Sequence, residues 1–342
     1  MNFSTTLIQW YAQNKRELPW RNTQNPYHIW LSEIILQQTR VAQGLSYYNE
    51  FTQNFPTIKD LALADESLIM KTWQGLGYYS RARNLHATAQ YIHNELNGIF
   101  PNTYEQIIQL KGIGPYTAAA IASFAFKEPV AVVDGNVFRV FARYFGIYDD
   151  ISLSKSRKIF QELGNELIDI HQPDQFNQAL MDFGATLCKP KAPECTICPF
   201  QATCFAYEKN AIEELPIKNK KLQIKNRYFH YVLIEKEDAI CIEKRNEKDI
   251  WQSLYQFPLV EIEHSLELQE VQKIIAERFD TTEENVWLYK DEVKHKLSHQ
   301  QLHIYFWKVE TSADLKYEYI SKEESKEYAF PIVLWNHIVS KF

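Results

Sequence analysis

Apolar residues recur at helix-like spacing from residue 1 to about 212, with proline and glycine punctuating the runs. The segments Ile29–Leu36, Thr117–Phe126 and Val137–Phe145 carry the pattern most plainly and predict helices. Around Leu215 the pattern changes. Pro216–Arg227 holds five cations and no acid, and predicts an exposed linker, either simply solvated or lying along a polyanion. Beyond it, Arg227–Glu235, Ala239–Glu243 and Gln301–Glu310 read as strands, and Ser265–Phe279 as an amphipathic helix. The expectation is a mainly α region followed by a mixed α/β domain, with no internal repeat.

Composition bounds this picture. The chain of 342 residues is 45% hydrophobic and 14% aromatic, enough for two cores. No apolar run reaches membrane-span length, and the start MNFSTTLIQW has neither the basic residues nor the cleavage site of a secretory signal. The expected location is therefore cytoplasmic, with no membrane partner. The net charge of −6 is shared about equally by the two parts of the chain. It excludes a protein that coats nucleic acid by bulk charge, but not local phosphate contacts.

Disulfides are not expected in the cytoplasm, so the five cysteines need another account. Four of them, Cys188, Cys195, Cys198 and Cys204, form one C-x6-C-x2-C-x5-C loop. Four crowded thiolates repel one another unless a cation holds them, and zinc or an iron–sulfur cluster fits that demand. Cys241 lies in a predicted strand and reads as a buried thiol.

Two further features carry chemistry. In LKGIGPYTA (Leu110–Ala118), Gly112 and Gly114 permit a tight turn with unusual dihedrals, and Pro115 suits the first position of a helix. Such a turn joins two helices; it also presents amides that can bind a phosphate. Asp134 precedes the Val137–Phe145 helix. It reads as an N-cap, and the same position keeps a carboxylate ionised and able to stabilise a cation.

The hairpin, then VDGNVFR (Val133–Arg139), then the cysteine loop follow the order found in helix-hairpin-helix DNA glycosylases of the endonuclease III superfamily. Within it the chain resembles the MutY family of adenine glycosylases. The resemblance rests on LPWR (Leu18–Arg21), NPYHIWLSEIILQQTRV (Asn25–Val41), GLGYYSRARNLH (Gly75–His86), GIGPYTA (Gly112–Ala118), VDGNVFRV (Val133–Val140) and the cysteine loop. It implies a helical catalytic region over 1–212, with a helix-hairpin-helix lobe at about 30–135 and an iron–sulfur lobe made of the N-terminus and about 136–212. A linker over 213–226 and a Nudix-like α/β domain over 227–342 complete the implied order. It also implies a 4Fe-4S cluster on the four cysteines and a monomer acting on double-stranded DNA.

The resemblance further implies hydrolytic removal of adenine paired with 8-oxoguanine or guanine, as a step of base excision repair. Glu33, in an apolar run, becomes the general acid, since burial raises a carboxyl pKa and protonating adenine makes it a neutral leaving group. Asp134 stabilises the sugar cation or bonds to it, and Asn136 positions Asp134. Tyr116 stands where lyase members of the superfamily carry a lysine, and tyrosine forms no Schiff base. Arg21, Trp30 and Gln178 are implied adenine-pocket residues, Gln38 and Tyr78 lesion contacts, and Gly112 and Gly114 the phosphate-binding turn.

The phrase IWQSLYQFPLVE (Ile250–Glu261) is similar to the family's Nudix-like domain, but no Nudix catalytic box follows, so pyrophosphate hydrolysis is not expected. In KHKLSH (Lys294–His299), Leu297 stands in place of the family phenylalanine, while Ser298 and His299 are implied to meet the oxidised base. Two readings compete: a glycosylase/lyase for oxidised pyrimidines, opposed by Tyr116, and a non-catalytic iron–sulfur DNA-binding module, opposed by the presence of both Glu33 and Asp134.

Overall fold

The three periodic runs fold as helices whose ends follow local chemistry. This is seen in a computed structural model that describes residues 2–219, 223–313, 315–321 and 323–337. Pro26–Ile35 starts at Asn25, whose side chain accepts the Tyr27 N–H, with proline in the first turn. Pro115–Phe126 also has proline in its first turn, behind Gly114, and stops at Lys127 in the left-handed region. Gly135–Phe145 starts at Asp134 and stops at Gly146, where φ is +71° and an added Cβ would sit 2.6 Å from the Phe205 ring.

Chain contacts divide the molecule into one unit of Met1–Leu63 and Asn84–Lys220, and a second of Ala64–Arg83 and Lys221–Phe342. In the first unit, Pro26–Ile35 packs on Pro115–Phe126. Ala118, Ala119, Ala120 and Ala122 of the latter helix are all buried. A second core joins Phe3, Leu7 and Tyr11 of the N-terminal helix Phe3–Asn14 to Phe141, Phe160, Phe176 and Phe183. The chain start and the segment around the cysteine loop thus share one core.

The second unit is built on strands β1 Lys225–Leu233, β2 Glu235–Lys236, β3 Ala239–Lys244, β4 Tyr255–Gln256, β5 Leu259–Ile262, β6 Val286–Lys296, β7 Gln300–Val309 and β8 Glu318–Ser321. One sheet runs β5-β1-β7-β6, with β1 and β7 parallel and the other pairs antiparallel. The other runs β2-β3-β4, with β8 on β3. The helix Leu268–Arg278 covers the first sheet through Val271, Ile275 and Ala276.

Three features depart from the sequence reading. β6 is not visible in the pattern, because register shifts at Leu288/Lys290 and Lys290/Val293 break its alternation. The expected linker is partly structured. Ile217 accepts the Ile151 N–H at 3.0 Å, Asn219 donates to Asp150 at 3.3 Å, and β1 already begins at Lys225; the middle of the linker, 220–222, lies outside the described residues. Finally, Ala64–Arg83 belongs with the C-terminal unit. Lys71 donates to the Tyr328 carbonyl at 3.0 Å and lies 4.6 Å over the Trp335 ring. Arg83 donates to the Gln252 carbonyl at 2.6 Å. No helix among the described residues is long and apolar enough to cross a membrane.

Phe141 is fully buried between the N-terminal helix and Phe160. Phe141→Ala is expected to cost about 3–5 kcal/mol, read as an earlier urea transition of the helical unit than in the wild-type chain.

Candidate active site

Glu33 and Asp134 come from helices far apart in sequence and line one cavity of about 290 Å³. Arg21, Tyr116, Asn136 and Gln178 line it as well. Glu33 is 6% exposed. Burial pushes its carboxyl up to about 7, against the opposing effect of a hydrogen bond with Tyr116; the nearby Asp134 charge raises it further and Arg21 lowers it. A carboxyl of this kind exchanges its proton near neutral pH.

Asp134 caps the helix with three hydrogen bonds. Its Oδ1 accepts the Asn136 and Val137 N–H groups at 2.8 Å each, and its Oδ2 accepts Asn136 Nδ2 at 2.8 Å. Burial outweighs these bonds, so the Asp134 carboxyl lies above its ordinary value, with the cap bonds and Arg139 opposing the rise. Asn136 is held in turn by Arg139, whose Nη2 donates to Asn136 Oδ1 at 2.8 Å and to the Gly184 carbonyl at 2.6 Å. Arg139 Nε donates to the Cys188 carbonyl at 2.8 Å, so one guanidinium ties the cap to the first cysteine of the loop.

The tryptophan assignment is corrected. Trp30 is 1% exposed and packs edge-on to Tyr27 and Phe100 in the core, whereas the tryptophan lining the cavity is Trp20 of LPWR. Arg21 does line it, held bidentate by the buried Asp182 at 2.5 and 2.7 Å. Arg16 bonds the same carboxylate; against burial, Arg21 and then Arg16 hold the Asp182 carboxyl below its usual range. Gln178 accepts the Tyr11 hydroxyl at 2.9 Å. Asp182 and Arg139 were not singled out from sequence. The available signal for Asp182 was its place four residues after Gln178, on the same helix face.

The hairpin turn needs glycine at one position only. Gly112 has φ +78°, and an added Cβ would lie 2.6 Å from Asn84 Cβ. Gly114 is extended, and a Cβ there would meet open space. No side chain caps the Pro115 helix start. Gln38, with φ +56°, is exposed in the turn after Pro26–Ile35.

Tyr78 lies in the second unit. It too has positive φ, +47°, after Gly75 and Gly77 in the same region. Such a backbone is unusual for a bulky residue and aims its ring outward, 44% exposed. Its hydroxyl hydrogen-bonds Ser298 Oγ. Tyr78, Leu297, Ser298 and His299 line a cavity of about 450 Å³ within this unit.

The four loop cysteines surround one cavity with Arg143, Phe183 and Phe200. Burial and mutual repulsion raise the thiols of Cys195, Cys198 and Cys204, that of Cys198 to about 12. Arg143 Nη1 lies 3.5 Å from Cys188 Sγ, and backbone N–H groups point at the Cys198 and Cys204 sulfurs. Four thiols around one cavity with cationic and amide donors beside them are the donor types a metal–sulfur cluster uses, while no group of three or more His, Cys, Asp or Glu among the described residues is drawn together as a metal-holding set.

Residues 31–166 match the HhH-GPD superfamily of base excision DNA repair proteins, and residues 230–338 match the NUDIX domain. A solved thermostable thymine-DNA glycosylase is 33% identical, with a TM-score of 0.56 over 60% of this chain and 95% of its own. An endonuclease III–DNA covalent intermediate, 22% identical with a TM-score of 0.53, shares the fold. These matches and the site define a helix-hairpin-helix base-excision glycosylase joined to a Nudix-like domain. The adenine DNA glycosylase of Buchnera aphidicola subsp. Baizongia pistaciae is 38% identical over 88% of this chain and 84% of its own length. The human one is 42% identical over 62% of this chain and 41% of its own. The chain belongs to the adenine DNA glycosylase family.

Gly184 packs against the cap from behind: an added Cβ would lie 2.6 Å from Asn136 Cβ and 3.2 Å from its backbone. Gly184→Ala is expected to displace Asn136 and slow base excision by about a hundredfold, with an unchanged far-ultraviolet circular dichroism spectrum. A wild-type rate would show that Asp134 does not depend on this contact.

Proposed function

We propose that the chain hydrolyses the N-glycosidic bond of adenine mispaired with 8-oxoguanine or guanine in double-stranded DNA, without cutting the strand. The observation that carries this reading is the pairing, in one cavity, of a buried Glu33 held near pKa 7 with a hydrogen-bonded Asp134. Two carboxyls in different environments are the division of labour that glycosidic cleavage needs.

Adenine reaches such a site only by leaving the base stack. Arg21, Trp20 and Gln178 then surround the base. Glu33 gives its proton to N7, the C1′–N9 bond breaks with its electron pair going to the base, and adenine leaves neutral. The Asp134 carboxylate, positioned by Asn136, stabilises the sugar cation or bonds to it. Water adds at C1′, and its proton returns to Glu33. Tyr116, hydrogen-bonded to Glu33, packs beside the sugar and offers no amine for lyase chemistry. The uncapped helix start behind Gly112 and Gly114 receives a backbone phosphate.

Cys188, Cys195, Cys198 and Cys204 would hold a 4Fe-4S cluster, whose bonds to sulfur would clamp the loop as one rigid body. On the opposite strand, Tyr78, Leu297, Ser298 and His299 meet 8-oxoguanine, and Gln38 enters the gap left by the adenine. 8-Oxoguanine carries an N7 hydrogen that guanine lacks, and an acceptor placed for it discriminates between them. The shared cavity and the Tyr78–Ser298 hydrogen bond support this reading.

The test uses duplexes with adenine opposite 8-oxoguanine, adenine opposite thymine, and thymine glycol, analysed with and without alkali. Alkali-dependent breakage of the first alone is expected; breakage at thymine glycol without alkali would overturn the reading. Asp134→Asn is expected to bind the first duplex yet lose nearly all excision, and Glu33→Gln to lose about two to four decades in rate.

A further inference from the structure

Arg227 lies in β1 and is 9% exposed. Yet all five of its N–H donors are used. Nε and Nη2 donate to the two oxygens of Glu261 at 2.7 Å each. Nη1 and Nη2 donate to the two oxygens of Asp249 at 2.9 and 2.6 Å. Nη1 also reaches Gln300 Oε1 at 3.1 Å. The guanidinium rests 4.8 Å over the Phe229 ring, and the two carboxylates hold it firmly charged.

Two of these partners belong to different walls of the cavity that contains Tyr78 and Ser298. Asp249 begins the wall that continues through Ile250 and Trp251; Gln300 closes the wall made by the turn Leu297–His299. The first wall is under backbone strain, with φ +62° at Trp251 and +69° at Ser253. Arg245 braces it, donating to Asp249 at 2.9 Å and to the Ile250 carbonyl at 3.1 Å. Trp251 then stands edge-on to Phe229, which lies beneath Arg227. It supplies a large aromatic wall where Leu297 supplies only an aliphatic one.

We propose that Arg227 is a positioning residue for mispair specificity: it fixes the separation of the Asp249–Trp251 wall from the Leu297–His299 turn, and so the width of the slot that receives the oxidised base. This rests on the reading of that cavity as the 8-oxoguanine site. A lysine at 227 keeps the charge but is a single point donor, unable to span two carboxylates and an amide. The walls would then be held separately, and an acceptor set by a loose wall no longer distinguishes a hydrogen on N7 from its absence.

The experiment measures single-turnover adenine excision as a function of enzyme concentration, opposite 8-oxoguanine and opposite guanine, for the full-length wild type and Arg227→Lys. The expected result is a fall of about tenfold in the preference for 8-oxoguanine, arising in the half-saturating concentration for the 8-oxoguanine duplex and not in the saturated rate. A merely structural role would lower the saturated rate or the active fraction on both duplexes alike. Glu261→Gln, which loosens the guanidinium from the side away from the cavity, is expected to shift the preference the same way by a smaller factor. It carries the test should Arg227→Lys not fold. Preference retained in a folded variant overturns the proposal alone; a wild type without preference overturns it together with the reading of the cavity.

Discussion

The site depends on one helix start. Asp134 ends an extended stretch and caps Gly135–Phe145, and its three hydrogen bonds leave the carboxylate one orientation. Asn136 supplies two of them and is itself locked by Arg139, which grips the Gly184 and Cys188 carbonyls. The arrangement that caps the helix is the one on which the proposed role of Asp134 at the sugar rests. The cysteine loop is part of it, because the loop backbone is what Arg139 holds.

Burial is the second constraint, and it acts on both carboxyls. It raises Glu33 to about 7, and it also raises Asp134, where only the cap bonds and Arg139 work against it. The two carboxyls differ above all in their hydrogen bonding. Glu33 has a hydrogen bond with Tyr116 and the charge of Arg21; Asp134 has backbone amides. The proposed roles of proton donor and charge stabiliser rest on that difference.

Much of this was legible in sequence where local chemistry decides the structure. Asp134 as a cap and Pro115 as a helix start were both legible, and the glycine pair marked the hairpin turn. What failed were properties set by tertiary placement. Trp20 and Trp30 are both near Glu33 in sequence, and only packing decides that Trp30 fills the core and Trp20 the cavity wall. Asp182 and Arg139 take their roles from partners on other segments, which no local pattern shows. β6 was hidden by its bulges. The Ala64–Arg83 segment gave no hint that it packs with the C-terminal unit, since Lys71 and Arg83 find their acceptors at Tyr328 and Gln252.

The central claim is that Glu33 must be protonated for the base to leave. Its carboxyl is raised to about 7, so the reactive form is complete below that value and is lost as pH rises through it. The most direct measurement is the single-turnover rate of adenine excision from an adenine–8-oxoguanine duplex between about pH 5 and 9. The account predicts a rate that falls about tenfold per unit above neutrality, with this alkaline limb missing from the residual activity of Glu33→Gln. A rate that stays level or rises across the alkaline range, or a limb that survives in the variant, would contradict it.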